Sequence, residues 1–256
     1  MRFLAVNRET LRYYEQIGLI HPQVDESNRY RRYSGWDVYA IAEALRLRSA
    51  SFSINEVQQV RSASTAAELA KLYEEKAATS RAHATFLERV AQKTEDDARM
   101  LRDFEPGRIW LDHEPGLALI PTFGNPPRFV SSTEAFTSYA RMVREDFALA
   151  DFSMRFEFDD VQGGSIRHLG CTCLREPFAS QLQLTADVVR IPARRSLMGY
   201  VEVSSKSISF DSGEFDSFFA EAARLGIELE GPVIALQLAH LGDNRHLFRI
   251  SFGVCE

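Results

Sequence analysis

Two sets of residues in this chain have the types and spacing to do chemistry. The first is arginine-rich: Arg8, Thr10, Arg12, Tyr13 and Tyr14 in one short segment, then Arg31 and Tyr33 within Asn28-Arg29-Tyr30-Arg31-Arg32-Tyr33, and Arg48 further on. Guanidinium groups grip phosphate oxygens in a fixed fork geometry, and arginines and hydroxyls read base edges. A basic helix followed by a basic, aromatic loop suits a duplex, the helix in the major groove and the loop on phosphates. The second set is aromatic: Phe156, Phe158, Tyr200, Phe248 and Phe252 on predicted strands, with Glu157, Glu202 and Ser251 as polar neighbours. Aromatic walls with a few polar groups suit a small-molecule pocket, and the same side chains equally suit a plain core. Alternation turns Glu157 away from Phe156 and Phe158, so the three cannot line one surface.

No catalytic set accompanies them, and no G-x-S-x-G nucleophile motif occurs. The three cysteines, Cys171, Cys173 and Cys255, are too few and unevenly spaced for a disulfide framework. Cys171 and Cys173 share one face of a strand and could take a soft metal with His168. Two small buried residues is the better reading, because structural zinc takes four ligands at recognisable spacing. The sequence therefore predicts no metal site and no cofactor.

The elements that must carry these residues are readable from periodicity. Asn7 caps a helix whose inner face is Leu11, Tyr14 and Ile17 and whose outer face is Arg8, Arg12 and Tyr13. Gly18 ends it. Residues 35–48 repeat apolar positions at helical spacing, a break follows at 51–53, and Ser53 caps a short helix carrying Ile54, Val57 and Val60. Residues 65–104 hold no Pro or Gly and open on a capping box, Thr65 with Glu68. This helix is roughly 60 Å long if unbroken. Its seam (69, 72, 76, 79, 83, 86, 90, 93, 97, 101, 104) is apolar at both ends and polar in places. So narrow a stripe needs a partner, either a coiled coil with a second copy or the chain's own domain. Glu105-Pro106-Gly107 stops it. Beyond it, predicted strands (117–123, 153–158, 168–174, the 188–203 region, 232–241, 246–254) and helices (133–149, with Phe136 on its apolar face, and 214–225) form two tandem strand-helix-strand-strand units, an internal repeat.

At 256 residues the chain holds one large or two modest domains, and 45% hydrophobic with 26% charged residues is ordinary for a soluble protein. No apolar run spans a membrane and no signal-peptide core precedes the first helix, so the sequence predicts a cytoplasmic protein with no membrane partner. The net charge of −6 divides unevenly: residues 1–62 hold nine arginines against seven carboxylates, and the remainder holds 21 basic against 29 acidic residues. A basic head on an acidic body fits local DNA contact by the head.

The motif Arg8-Glu9-Thr10-Leu11-Arg12-Tyr13-Tyr14-Glu15-Gln16-Ile17-Gly18-Leu19-Ile20, the later Asn28-Arg29-Tyr30-Arg31-Arg32-Tyr33 and Phe52-Ser53-Ile54-Asn55-Glu56-Val57 together resemble the MerR family of transcriptional regulators. The resemblance covers 1–62 and implies a winged helix-turn-helix. Arg8, Arg12 and Tyr13 would read the major groove or hold phosphates, Arg31 and Tyr33 would belong to the first wing, and Arg48 would stand where the family usually has lysine. Family members carry a complete helix before the stretch matching Ala5-Val6-Asn7, and here that helix is expected to be truncated. The resemblance also implies an antiparallel dimer through 65–104, distortion of promoter DNA, and RNA polymerase at that promoter. Metal-sensing members place cysteines at the start of the dimerisation helix, and this chain has none before Cys171.

Val189-Arg190-Ile191-Pro192-Ala193, Gly199-Tyr200 and Gly226 with Gly231-Pro232 further resemble the GyrI-like effector-binding domain, over 108–256. The implied whole is an α+β protein: winged helix-turn-helix, long dimerisation helix, and a two-repeat β-α-β-β domain with a concave aromatic cleft. Members sensing organic cations carry a glutamate on the last strand. The matching position here is Ser251, so a neutral or weakly polar aromatic or lipophilic effector is expected, lined by Phe156, Phe158, Tyr200, Glu202, Phe248, Ser251 and Phe252. The alternatives are a GyrI-like small-molecule hydrolase and a ligand-sequestering protein without DNA binding.

Overall fold

The structure is a computed structural model that describes residues 6–124, 128–129, 139–144, 146–181, 188–204 and 210–255. The chain forms two compact units, Met1–Thr85 and Phe86–Glu256.

The first unit begins with α1 (Arg8–Gln16), capped by Asn7, whose side chain accepts from the Thr10 amide at 2.7 Å. Gly18 takes the left-handed conformation (φ +71°) and the chain turns back, the Leu19 amide donating to the Tyr14 carbonyl. A two-stranded wing follows, β1 (Gln23–Val24) paired antiparallel with β2 (Arg31–Arg32). α2 (Gly35–Ser49) opens on a capping box of Ser34 and Asp37, and α3 (Ile54–Ser62) on one of Ser53 and Glu56. Leu11, Tyr14, Leu19, Ile20, Ile41, Ala44, Leu47, Phe52 and Val57 are buried together. The expected truncated helix before α1 falls on residues outside the description, apart from Val6 and Asn7.

The long helix α4 runs Ala66–Arg102, with Thr65 accepting from the Glu68 amide at 3.2 Å. The Glu68 carboxylate reaches back to the Ser64 amide rather than that of Thr65. In the first unit Leu69, Leu72 and Tyr73 pack on the helix-turn-helix core, and Lys76 pairs with Glu56 at 3.1 Å. In the second unit Phe86 and Val90 pack against Ala118, Ile120, Met142, Leu149 and Leu174. Residues 78–85 are exposed. Leu69 and Leu72 at the start of the seam and Phe86 and Val90 in its middle thus pack on the chain itself, whereas Leu101 near its end is exposed. Among the described residues, no helix is long and apolar enough to cross a membrane.

The second unit is built on an antiparallel sheet. Its strands are β3 (Ile109–Glu114), β4 (Leu117–Gly124), β5 (Arg128–Phe129), β6 (Asp151–Phe156), β7 (His168–Arg175), β8 (Val189–Ile191), β9 (Arg194–Ser204), β10 (Leu229–Leu241) and β11 (Arg245–Val254). The order is β3-β9-β11-β10-β6-β7-β4-β5, with β8 on β4. The triplet β9-β11-β10 is mirrored by β4-β7-β6, and the two meet where Val233 of β10 faces Phe156 of β6. This is the predicted tandem repeat, each unit contributing its strands in the order first, third, second. The repeat helices are α5, described over 139–144, and α7 (Asp216–Leu225). Phe136 and most of the predicted 133–149 helix lie outside the described residues.

Three local differences from the sequence reading have plain causes. β6 stops at Phe156, and Phe158 opens a short helix, α6 (Phe158–Gln162), not anticipated because five residues carry too little periodicity. β3 was hidden in a charged stretch at the sheet edge. α7 starts two residues late because Ser212–Phe215 forms a 3₁₀ turn. One sheet face carries Phe156, Leu197, Val233, Ala235, Phe248, Ile250 and Phe252 and is covered by α6 and α7. A β-carbon on Gly199 would lie 2.6 Å from the Phe218 ring, so glycine there lets α7 approach the sheet.

Candidate functional site

α1 separates its two faces by helical period. Leu11 and Tyr14 go into the core, leaving Arg8, Arg12 and Tyr13 exposed. Tyr14 is thus corrected from a DNA-contacting candidate to a core residue: it is 5% exposed, and burial raises its phenol pKa. Thr10 is half-buried in the first turn, where its amide is spent on the Asn7 cap.

The wing is held beside α1 by side chains. Arg31 Nε donates to Glu15 at 2.6 Å, and Arg32 pairs with Asp25 at 2.6 Å. Asp25 also accepts from the hydroxyl and amide of Ser27, bonds that hold its carboxyl below the usual range. Arg29 at the tip is left-handed (φ +59°) and donates its amide to the Asp25 carbonyl. A concavity of about 610 Å³ lies between α1 and the wing, bounded by Arg8, Arg12, Arg29, Arg31, Tyr30 and Tyr33 among others. Arg8, Arg12 and Arg29 make no ion pair among the described residues, so their charge is available to a ligand.

Asp37 fixes this geometry from behind. It is 7% exposed and accepts from the Ser34 amide and hydroxyl and from the His21 amide at 2.8 Å. It thereby ties the chain after α1 and the chain after the wing to the start of α2. Burial alone would raise its carboxyl, and these hydrogen bonds outweigh burial and hold it below its ordinary value. Sequence reading passed over Asp37, although Ser34 three residues before an acidic residue was the available signal. Arg48 donates to the Phe52 carbonyl at 2.7 Å and so closes the turn between α2 and α3. Gln58 donates to the Ile17 carbonyl at 3.0 Å, covering the C-terminus of α1.

The aromatic set of the second unit is not brought together around a cleft. Phe156, Phe248 and Phe252 are fully buried in the core with Phe210, Phe215 and Phe218, and Phe158 packs edge-on to Phe252. Tyr200, Glu202 and Ser251 lie on the opposite face, as strand alternation requires once Phe252 faces α7. Glu202 pairs with Arg245 at 3.6 Å, and Glu157 with Arg155 at 2.8 Å. Tyr200 borders a cavity of about 250 Å³, in company with Met100, Phe178, Arg175 and Arg249.

A family model described as MerR HTH family regulatory protein matches residues 2–64. A relative from Rhizobium leguminosarum bv. viciae, named HTH-type transcriptional regulator HmrR, is 34% identical over 105 residues, covering 41% of this chain and 71% of the relative. The chain belongs to the MerR family. The match to HmrR of Sinorhizobium medicae (strain WSM419) is 38% identical over 56 residues, 22% of this chain and 38% of that one. The match to heavy metal-dependent transcription regulator 2 of Rhizobium meliloti (strain 1021) is 36% identical over the same length and shares. The matched segment thus spans well under half the length of these two relatives. Two solved structures also align: an EcmrR–DNA complex (TM-score 0.34, 15% identity, 99% of this chain and 96% of that one) and a hydrolase from Listeria innocua (TM-score 0.35, 13% identity, 61% and 97%). Likenesses this low carry no argument.

Among the described residues of this MerR-family chain, no group of three or more His, Cys, Asp or Glu is placed to hold a metal ion. Burial pushes the Cys171 thiol up to about 12 and that of Cys173 higher still. His168 points to the other face of β7, its ring 5.3 Å from that of Phe156.

Proposed function

We propose that this chain is a ligand-responsive transcriptional regulator that binds and distorts promoter DNA as a dimer. One observation carries the reading: three exposed, unpaired arginines converge on the concavity between α1 and the wing, in a chain of the MerR family. Such a surface takes the phosphate backbone, while Arg12 and Tyr13 on the outer face of α1 reach base edges. RNA polymerase at the bound promoter is the partner that this reading implies. Residues 1–62 serve as the DNA-binding domain, 65–104 as the dimerisation helix and 108–256 as the effector-binding domain.

The mirrored β-α-β-β repeats support a GyrI-like effector-binding domain, whose ligand would be a small molecule with an aromatic or lipophilic part. The exposed stretch 78–85 of α4, with Leu87 and Leu101 exposed beyond it, supports pairing with a second copy. This reading involves no turnover.

Gel shift on the promoter of the protein's own gene tests the DNA assignment, and sedimentation tests the dimer. A salt-dependent shifted band and a mass near twice 29.0 kDa are expected. Absence of any shift at low salt with an intact dimer would leave a ligand-sequestering protein, and a clean monomer at micromolar concentration would remove the dimer.

A further inference from the structure

The sheet face opposite the phenylalanine core carries a buried charge cluster. Lys93 and Arg175, each 8% exposed, are matched by Asp97 and Asp151: Lys93 reaches Asp151 at 2.7 Å and Asp97 at 2.6 Å, and Arg175 meets Asp151 at 2.8 Å and also Asp97. Arg194 and Arg249, each 11% exposed, share the single carboxylate of Glu114 at 3.6 and 3.3 Å. Two guanidinium groups on one carboxylate leave one positive charge in excess.

Among the described residues both guanidinium groups keep a buried Nε without a partner, and of the two only Arg249 borders a cavity described below. Arg194 donates to the backbone carbonyls of Gly231 and Pro232, at 3.3 and 2.8 Å. Arg249 donates to Glu114 at 3.3 Å and to the Met100 sulfur at 3.7 Å, a weak acceptor, and among the described residues its buried Nε has no partner. Ser251 Oγ, two residues along the same face of β11, is also buried without a partner. Two buried arginines sharing one carboxylate are costly, and an anion entering beside Arg249 supplies the missing negative charge.

Arg249 borders the 250 Å³ cavity, which holds about eight water volumes. Met100, Phe178 and Tyr200 give it apolar wall. The carboxylates at its rim do not compete for Arg249: Asp96 pairs with Arg99 at 3.1 Å, Glu176 with Arg190 at 3.9 Å, and Asp103 is exposed. Burial raises the Tyr200 phenol pKa, which keeps it a hydrogen-bond donor at neutral pH.

We infer that this cavity binds a small aromatic carboxylate, whose charge is received by Arg249 and whose ring lies against Tyr200, Phe178 and Met100. The inference rests on the reading of this unit as the effector-binding domain, and it replaces the neutral effector expected from Ser251 with an anionic one.

A matched set of probes on the full chain tests it: 1-naphthoate, 1-naphthamide and 1-naphthylmethylammonium, titrated by calorimetry at neutral pH. The carboxylate should bind at least about tenfold tighter than the amide, and the ammonium more weakly than either. In Arg249→Gln the carboxylate should fall to the affinity of the amide, with the amide unchanged, while Arg249→Lys should keep part of the preference. If the glutamine variant does not fold, the wild-type ranking alone still decides. Equal or tighter binding of the amide or ammonium overturns the anion assignment and leaves the effector-binding reading standing. A preference that survives in folded Arg249→Gln removes Arg249 from it. If none of the three binds at millimolar concentration, the effector-binding reading falls and the inference with it.

Discussion

The arginines of the first unit and the aromatics of the second were picked out by the same logic of residue type, and they end in opposite places. Arg8, Arg12 and Arg29 are exposed around an open concavity, with their apolar neighbours Leu11 and Tyr14 turned inward. Phe156, Phe248 and Phe252 are themselves the interior. An arginine has to be matched or solvated, and three solvated ones around a concavity, unmatched among the described residues, are free to meet an anion. A phenylalanine on a strand is satisfied by any apolar contact, and α7 supplies it. The anion site inferred for the second unit lies among the residues between the phenylalanines, at Tyr200 and Arg249.

The largest effect that tests this contrast is on stability. Phe252→Ala removes a fully buried ring in contact with Phe158, Phe215, Phe218 and Phe219. A loss of about 3–5 kcal/mol is expected for the second unit, with the first unit's DNA affinity per folded molecule unchanged. Denaturant unfolding monitored separately in the two units measures it. A loss under about 1 kcal/mol accompanied by weaker effector binding would return Phe252 to the ligand site.

How much was legible follows from how local each signal is. Asn7, Gly18, Ser53 and the stop at Gly107 act within a few residues, and each stands where its chemistry placed it. The repeat was readable because each strand and helix carries its own period. Which face of a strand is inside was not, because that depends on α6 and α7 arriving from elsewhere in the chain. The Glu114–Arg194–Arg249 group joins residues up to 135 apart in sequence, across β3, β9 and β11, and no spacing rule connects them. The partners of the polar seam positions of α4 were hidden for a related reason: Lys93 and Asp97 meet Asp151 and Arg175, which lie on distant strands of the sheet.

A middling effect tests whether the first unit's surface depends on a polar core of its own. Asp37→Ala removes the acceptor of the His21 and Ser34 amides, and a loss of about 1–2 kcal/mol is expected. Because the folded carboxyl titrates below its ordinary value of 3.8, its contribution is fully present above that pH and is lost as pH falls through the lower folded value. The difference between wild type and variant should hold steady from about pH 7 to 5 and shrink below about pH 4. A difference that instead grows on acidification would mean that the carboxylate is not the form that holds α1 and the wing.

The smallest effect on stability, and the sharpest on function, separates two arginines that sequence treated alike. Arg12 is exposed and unpaired among the described residues, whereas Arg31 spends its charge on Glu15. If Arg12 meets a phosphate, Arg12→Ala should lower the slope of log affinity against log salt by about one while the melting temperature stays put. Arg31→Ala should weaken binding with much less change in slope, because the lost interaction is the one that holds the wing against α1. Glu15→Gln should then weaken binding as well, although it removes a negative charge from a DNA-facing surface. Fluorescence anisotropy on one promoter fragment between about 50 and 200 mM salt reads all three variants. Tighter binding by Glu15→Gln, with Arg31→Ala losing as much slope as Arg12→Ala, would mean that Arg31 leaves Glu15 for the phosphate backbone. The wing would then be a direct DNA contact rather than a part whose position α1 sets.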